Sequence, residues 1–238
     1  MKYKKSIKIV VGLVIFFTLP TFLFFGLVYF KYNEDLPSGI EGKQADSLAQ
    51  TMLDALNYEA YLKTNYIEFT FKKRHHYKWD KNEGECLIYW KEYKVDLNLK
   101  DSSKTKAYVH GFKVEGDKAK VLINEAASYF KNDVFWLTAP YNIFDEGIER
   151  RIVTLENGDK GLLVTYTSKT PDSEDSYLWI FDENGKPEKL KMWTSALPID
   201  GLEASWNDWI TTESGAQLPT FHSILVMGLD MGLVKGTN

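Results

Sequence analysis

The sequence predicts an α+β fold, a curved antiparallel sheet wrapped around helices and preceded by one transmembrane helix. Three observations predict it. Residues 9–30 carry no charge over a length that crosses a bilayer, which takes roughly 20 apolar residues of helix. From Tyr66 onward, short runs rich in Tyr, Phe, Trp, Ile and Val succeed one another closely enough for antiparallel hairpins. Two stretches of helical spacing punctuate them, so the order is helix, strands, helix, strands, as in an α+β plan with helices on one side of a sheet.

The opening residues 1–8, "MKYKKSIK", carry Lys2, Lys4, Lys5 and Lys8. Lysines clustered before a span favour the cytoplasm for that end. Residues 9–30, "IVVGLVIFFTLPTFLFFGLVYF", exceed the core of about 7–15 residues usual in a cleavable signal peptide, and no small-x-small site comes after them. They read as an uncleaved signal anchor, in which Pro20 is tolerated as in other membrane helices. The chain beyond the span is then extracytoplasmic, and periplasmic if the cell has an outer membrane. No cysteine stands directly after the span, which excludes acylation of the lipoprotein type. Residues 31–43, "KYNEDLPSGIEGK", mix charge, Pro and Gly and read as a linker. Residues 44–238 form the extracytoplasmic domain.

That domain opens with "QADSLAQTMLDALNYEAYL", where Ala45, Leu48, Ala49, Met52, Leu53 and Leu56 fall on one helical stripe. "YIEFTF", "HHYKWD", "CLIYWKEYKVDLNL" and "KAYVHGF" read as strands. Residues 117–137, "DKAKVLINEAASYFKNDVFWL", return to helical spacing. The adjoining "FWLTAPYNIF" is too apolar for a free loop and suits a plug on the concave side of a sheet. Asn157-Gly158 and Asn184-Gly185 mark two hairpins.

Charge and composition exclude some functions. The formal charge is −4 overall, and four lysines with no acidic residue fall in residues 1–30, which leaves the rest of the chain at −8. That sign disfavours nucleic acid and electrostatic attachment to anionic lipid. The lone cysteine, Cys86, rules out an internal disulfide.

The hairpin "DSYLWIFDENGKPEKLKMW" is unusual, because Tyr177, Leu178, Trp179, Ile180 and Phe181 run together where a strand with one wet face would alternate. A two-residue Asn-Gly turn pairs Trp179 with Leu190 and Tyr177 with Met192. A three-residue Glu-Asn-Gly loop pairs Leu178 with Leu190 and Ser176 with Met192. Either register hides one face deeply and leaves the other mixed, with the stems of Lys189 and Lys191 able to cover aromatic rings.

The helix "ADSLAQTMLDAL", the strands "YIEFTF" and "HHYKWD", the mid-chain plug and the hairpin "WIFDENGKPEKLKMW" together resemble the outer-membrane lipoprotein carrier and receptor superfamily, over about residues 44–230. "NDVFWLTAPYNIFDEG", "DSYLWIFDENGKPEKLKMW" and "GLEASWNDWITTESGAQLPTFH" are similar to an uncharacterised exported bacterial family. The superfamily resemblance implies an open antiparallel half-barrel closed by helices around an apolar cavity. A membrane anchor departs from it, since a tethered protein does not shuttle between membranes, and none of Arg74, Arg150 and Arg151 aligns with the carrier's functional arginine.

Reactive constellations are sparse. His75 and His76 are neighbours on a strand and point to opposite faces, so one ion would need His110, His222, Asp133 or Glu203 brought in by folding. No zinc-type spacing, G-x-S-x-G elbow, P-loop or dinucleotide fingerprint occurs. The carboxylates Asp145-Glu146 and Asp172/Glu174/Asp175 fall in expected loops. No catalytic residue, metal ligand or cofactor is therefore assigned, and a hydrolase is the least favoured reading. Seven tryptophans, Trp79, Trp90, Trp136, Trp179, Trp193, Trp206 and Trp209, all lie beyond the span and suit a core or an apolar cavity. The expected activity is binding of a lipid, an acyl chain (free or on an acylated protein) or another apolar group. The expected liners are Phe69, Phe71, Leu178, Ile180, Leu190 and Met192, with Phe135 and Trp136 from the plug. The alternative is a non-catalytic envelope sensor or protein-interaction module.

Overall fold

The computed structural model of the chain describes residues 2–167 and 174–238. Helix α1 (Lys2–Tyr32) contains the whole uncharged run, and none of its most apolar stretch is buried. Pro20 lies inside it. The hydroxyls of Thr18 and Thr21 donate back to Val14 O and Phe17 O at 2.8 and 2.9 Å, the local pairing a helix needs in an apolar medium.

Residues 33–41, expected to be a linker, are instead fixed to the domain. The Glu34 N–H donates to Asp200 O at 2.9 Å, and the Trp193 indole N–H donates to Glu34 O at 2.8 Å. The Asp200 N–H donates to Asn33 Oδ1 at 3.1 Å, and Lys191 pairs with the Glu34 carboxylate at 2.6 Å. Strand β1 (Ile40–Glu41) then joins a sheet. Backbone groups in a polar stretch must find partners somewhere, and here the partners lie over 100 residues away, beyond the reach of a local reading.

Helices α2 (Lys43–Ala55) and α3 (Tyr58–Lys63) come next, and α2 buries Ala45, Ala49, Met52 and Leu53, the expected stripe. Strands β2 (Tyr66–Phe71), β3 (His75–Asp80), β4 (Glu85–Trp90), β5 (Tyr93–Asn98), β6 (Lys106–Val109) and β7 (Phe112–Val114) form an antiparallel meander. Helix α4 (Gly116–Thr138) crosses to the second half of the chain and ends in a 3₁₀ turn, Ala139–Asn142. The second half holds β8 (Ile148–Thr154), β9 (Lys160–Tyr166), β10 (Asp175–Phe181), β11 (Pro187–Trp193), β12 (Leu202–Ser205), β13 (Asp208–Thr211), β14 (Gln217–Ile224), β15 (Met227–Asp230) and β16 (Lys235–Thr237).

Among the described residues the strands make two antiparallel sheets rather than one, and neither closes into a barrel. The larger is nine-stranded, in the order β1-β8-β9-β10-β11-β12-β14-β13 with β15 also on β14. The smaller is seven-stranded, in the order β16-β2-β3-β4-β5-β6-β7. Their edges meet where the Thr70 and Lys72 N–H groups donate to Met231 O and Asp230 O at 3.0 and 2.7 Å. Helix α2 packs on β8 and β9, while α4 touches β5 and β6 of one sheet and β14 of the other. One continuous apolar core joins the helices to both sheets.

The β10–β11 hairpin combines both expected geometries. The Asp182 N–H donates to Lys186 O, so Glu183, Asn184 and Gly185 form a three-residue loop. A bulge between Ile180 and Phe181 then shifts the register, giving Trp179–Leu190 and Tyr177–Met192. Tyr177, Trp179, Leu190 and Met192 face the core. Leu178 and Ile180 face the other way, onto Val153, Leu155, Leu163 and Trp193, where residues 34–37 lie.

Candidate functional site

A half-open, mostly apolar site lies between α4 and the end of β9 and β10. Helical spacing puts Phe130, Val134 and Phe135 of α4 on this side, with Thr138, Ala139 and Asn142 at its base. Tyr166 and Tyr177 form the opposite wall, and Lys131, Thr167 and Asp175 rim the mouth. The space is about 410 Å³ and its wall is mostly apolar, within the usual range for small-molecule sites. Phe135 leans on Tyr177 with ring centres 4.9 Å apart, and Tyr177 meets Tyr166 edge-on at 5.6 Å. Burial pushes the Tyr166 hydroxyl up to about 12 and the Tyr177 hydroxyl higher still, with Asp175 adding to the latter. Both therefore stay neutral donors. The cleft offers aromatic walls, neutral hydroxyls and one exposed ammonium, Lys131.

The structure divides the expected liners among three places. Phe69, Leu190 and Met192 are packed into the closed core, Phe69 stacking on Tyr77 at 4.5 Å, and Phe71 is buried near the rim of the smaller sheet. Phe135 lines the cleft. Trp136 turns away from it and stacks on Trp206 at 5.5 Å. Leu178 and Ile180 line a separate outer groove of about 560 Å³ with Glu34, Asp35, Pro37, Leu155 and Trp193. That groove is rich in carboxylates, and its two lysines are engaged, Lys191 with Glu34 at 2.6 Å and Lys189 with Glu203 at 3.3 Å. One shared cavity for all eight residues is therefore not formed, because the bulge sets Leu178 and Ile180 on the face opposite Leu190 and Met192. Sequence reasoning missed Phe130, Val134, Tyr166 and Tyr177. The first two lie one helical turn apart on α4, a spacing legible in the sequence.

The histidines are absorbed by structure. His75 Nδ1 lies 2.7 Å from Asp133 Oδ2, which also accepts the Tyr77 hydroxyl at 2.5 Å, and His75 stacks on Tyr129 at 4.1 Å. Burial raises the Asp133 pKa, while the Tyr77 and His75 hydrogen bonds pull the other way. His76 faces the other side, onto Thr70 at 2.8 Å and Glu68 at 3.3 Å. His222 is wholly buried between Ser205 O (2.9 Å) and Trp136 O (2.7 Å), and burial lowers its pKa against the pull of those carbonyls. These contacts pin α4 to both sheets. Among the described residues no three His, Cys, Asp or Glu side chains gather as metal ligands. Cys86 is buried, and Asp172 lies outside the described residues.

Comparison of the chain with protein families, with curated proteins and with solved structures finds no match.

Proposed function

We propose that the chain is a membrane-anchored extracytoplasmic binding protein for an acyl chain or a comparable apolar group, in lipoprotein or envelope handling. The cleft between α4 and the β9–β10 edge carries this reading. Half-buried aromatic rings and Val134 wall a space that the core leaves unfilled, and apolar walls with a few placed polar groups characterise ligand sites. Lys131 at the mouth suits a carboxylate or ester at the end of such a chain. The meeting of the two sheets at Thr70 and Lys72 supports a wrapped, half-barrel arrangement around α2 and α4. The uncharged α1 supports anchoring, and Lys2, Lys4, Lys5 and Lys8 before the uncharged run support a place outside the cytoplasm for the rest of the chain.

The test is photo-cross-linking of the full chain in membranes with a diazirine fatty acid, with peptide mapping of the product. Labelling of residues 130–142, lost in Phe135→Glu, is the expected result. Labelling confined to α1 would reject the cleft as the site.

One observation favours the alternative, an envelope sensor or interaction module. The chain leaving α1 is fixed to β11 through Glu34, Lys191 and Trp193 and to Asp200 through Asn33, so a load on the domain reaches the span without slack. Cross-linking in membranes that recovers no reproducible partner would count against it.

A further inference from the structure

The tip of the β14–β15 hairpin breaks the turn chemistry used elsewhere in the molecule. Ile224 pairs with Met227, so Leu225 and Val226 alone make the turn. Leu225 has φ 52°, a left-handed conformation that favours Gly, Asn or Asp at the first position of a tight hairpin. Comparable two-residue turns here are polar, Lys91-Glu92 and His110-Gly111. Val226 is 94% exposed, Met227 53% and Leu225 44%, with Phe221 also exposed beside them. Residues 223–229 carry no charge. Folding gives no reason for such residues there.

Their position supplies one. Leu225 and Ser223 share a pocket wall with Tyr32, the last residue of α1. The helix end around Tyr29, Lys31 and Tyr32 has the aromatic and basic composition of a span emerging into the headgroup region. We infer that Leu225, Val226 and Met227 lie in the outer bilayer interface beside the exit of α1, as a second membrane contact made by the folded domain. An exposed apolar cluster beside the end of a span is satisfied by lipid as an amphipathic surface is, with no basic residue needed. The contact would fix the tilt of the domain as well as its height. It rests on reading α1 as a span.

The experiment uses the full chain in lipid nanodiscs. Cys86 is fully buried, so a bimane-labelled cysteine can be introduced without replacing it, at Val226→Cys and, separately, at Phe30→Cys on α1. Lipids brominated high in the acyl chain serve as the quencher. Loss of most emission at both positions is the expected result. Quenching at position 30 alone would overturn the inference and leave the span standing. Quenching at neither would remove the span and the inference together. Position 226 shielded both from lipid bromine and from aqueous iodide would show a protein partner, such as a second copy, and would also overturn it.

Discussion

In β2 of the smaller sheet, burial alternates residue by residue, with Ile67, Phe69 and Phe71 inside and Tyr66, Glu68 and Thr70 half-exposed. In β9 of the larger sheet, Gly161 to Thr165 are all buried. The first pattern belongs to a sheet with one wet face. The second belongs to a sheet covered twice, by the core on one side and by its own apolar cluster under residues 34–37 on the other. The same period-two chemistry thus gives two kinds of surface, and the difference comes from where the chain leaving α1 is laid.

The comparison can be broken by mutation, with thermal unfolding of the full chain in detergent as the measurement. Trp179→Ala, on the core face of β10 and 1% exposed, should cost about 3–5 kcal/mol. Leu178→Ala, at the neighbouring position and facing outward, should still cost about 2–5 kcal/mol, because that face is covered too. If it behaved as a surface change, the covered second face would be refuted. Trp193→Phe keeps an aromatic ring and removes the indole bond to Glu34 O. It should cost about 1 kcal/mol and speed amide exchange in residues 33–41 specifically. Leu87→Ala, half-buried on the outer face of β4, should cost about 1 kcal/mol or less.

A pH dependence is expected beside the smaller sheet, just after β3. Lys81 donates to Tyr61 O at 2.7 Å with its ammonium 3.7 Å from that ring centre, and burial lowers its pKa from 10.5 to about 8. Between those values the folded state holds fewer protons than the unfolded chain, so Lys81 makes stability rise with pH there and is a burden below pH 8. Subtracting a Lys81→Met curve should isolate that rise. A flat difference would show the ammonium to be solvated.

Much of this was legible in the sequence. The stripe of α2, the limits of β2 and β3, and α4 to within a residue came from periodicity, because each buries one face against one neighbour. The apolar run at residues 135–144 was legible as more than a free loop, and the structure divides it between the end of α4 and the 3₁₀ turn Ala139–Asn142, with Leu137, Ala139, Tyr141 and Ile143 buried. Other features were not. The bulge beside Ile180 moves one residue and thereby reverses which side chains share a face with Leu190, and no residue type announces it. The fixing of Asn33 and Glu34 to Asp200 and Trp193 depends on partners that only folding brings near. The cleft was half legible: Phe135 came from the plug, but its facing tyrosines sit on strands where they look like any other pleat residue.

Strand β16 has a kinetic consequence. It borders β2 through Lys235–Glu68, a separation of 167 residues. The early meander can form its hairpins as soon as it is synthesised, but its β2 edge stays bare until β16 arrives. For most of synthesis that edge is an open template for strand addition. A chaperone, or haste in the remaining strands, would have to guard it.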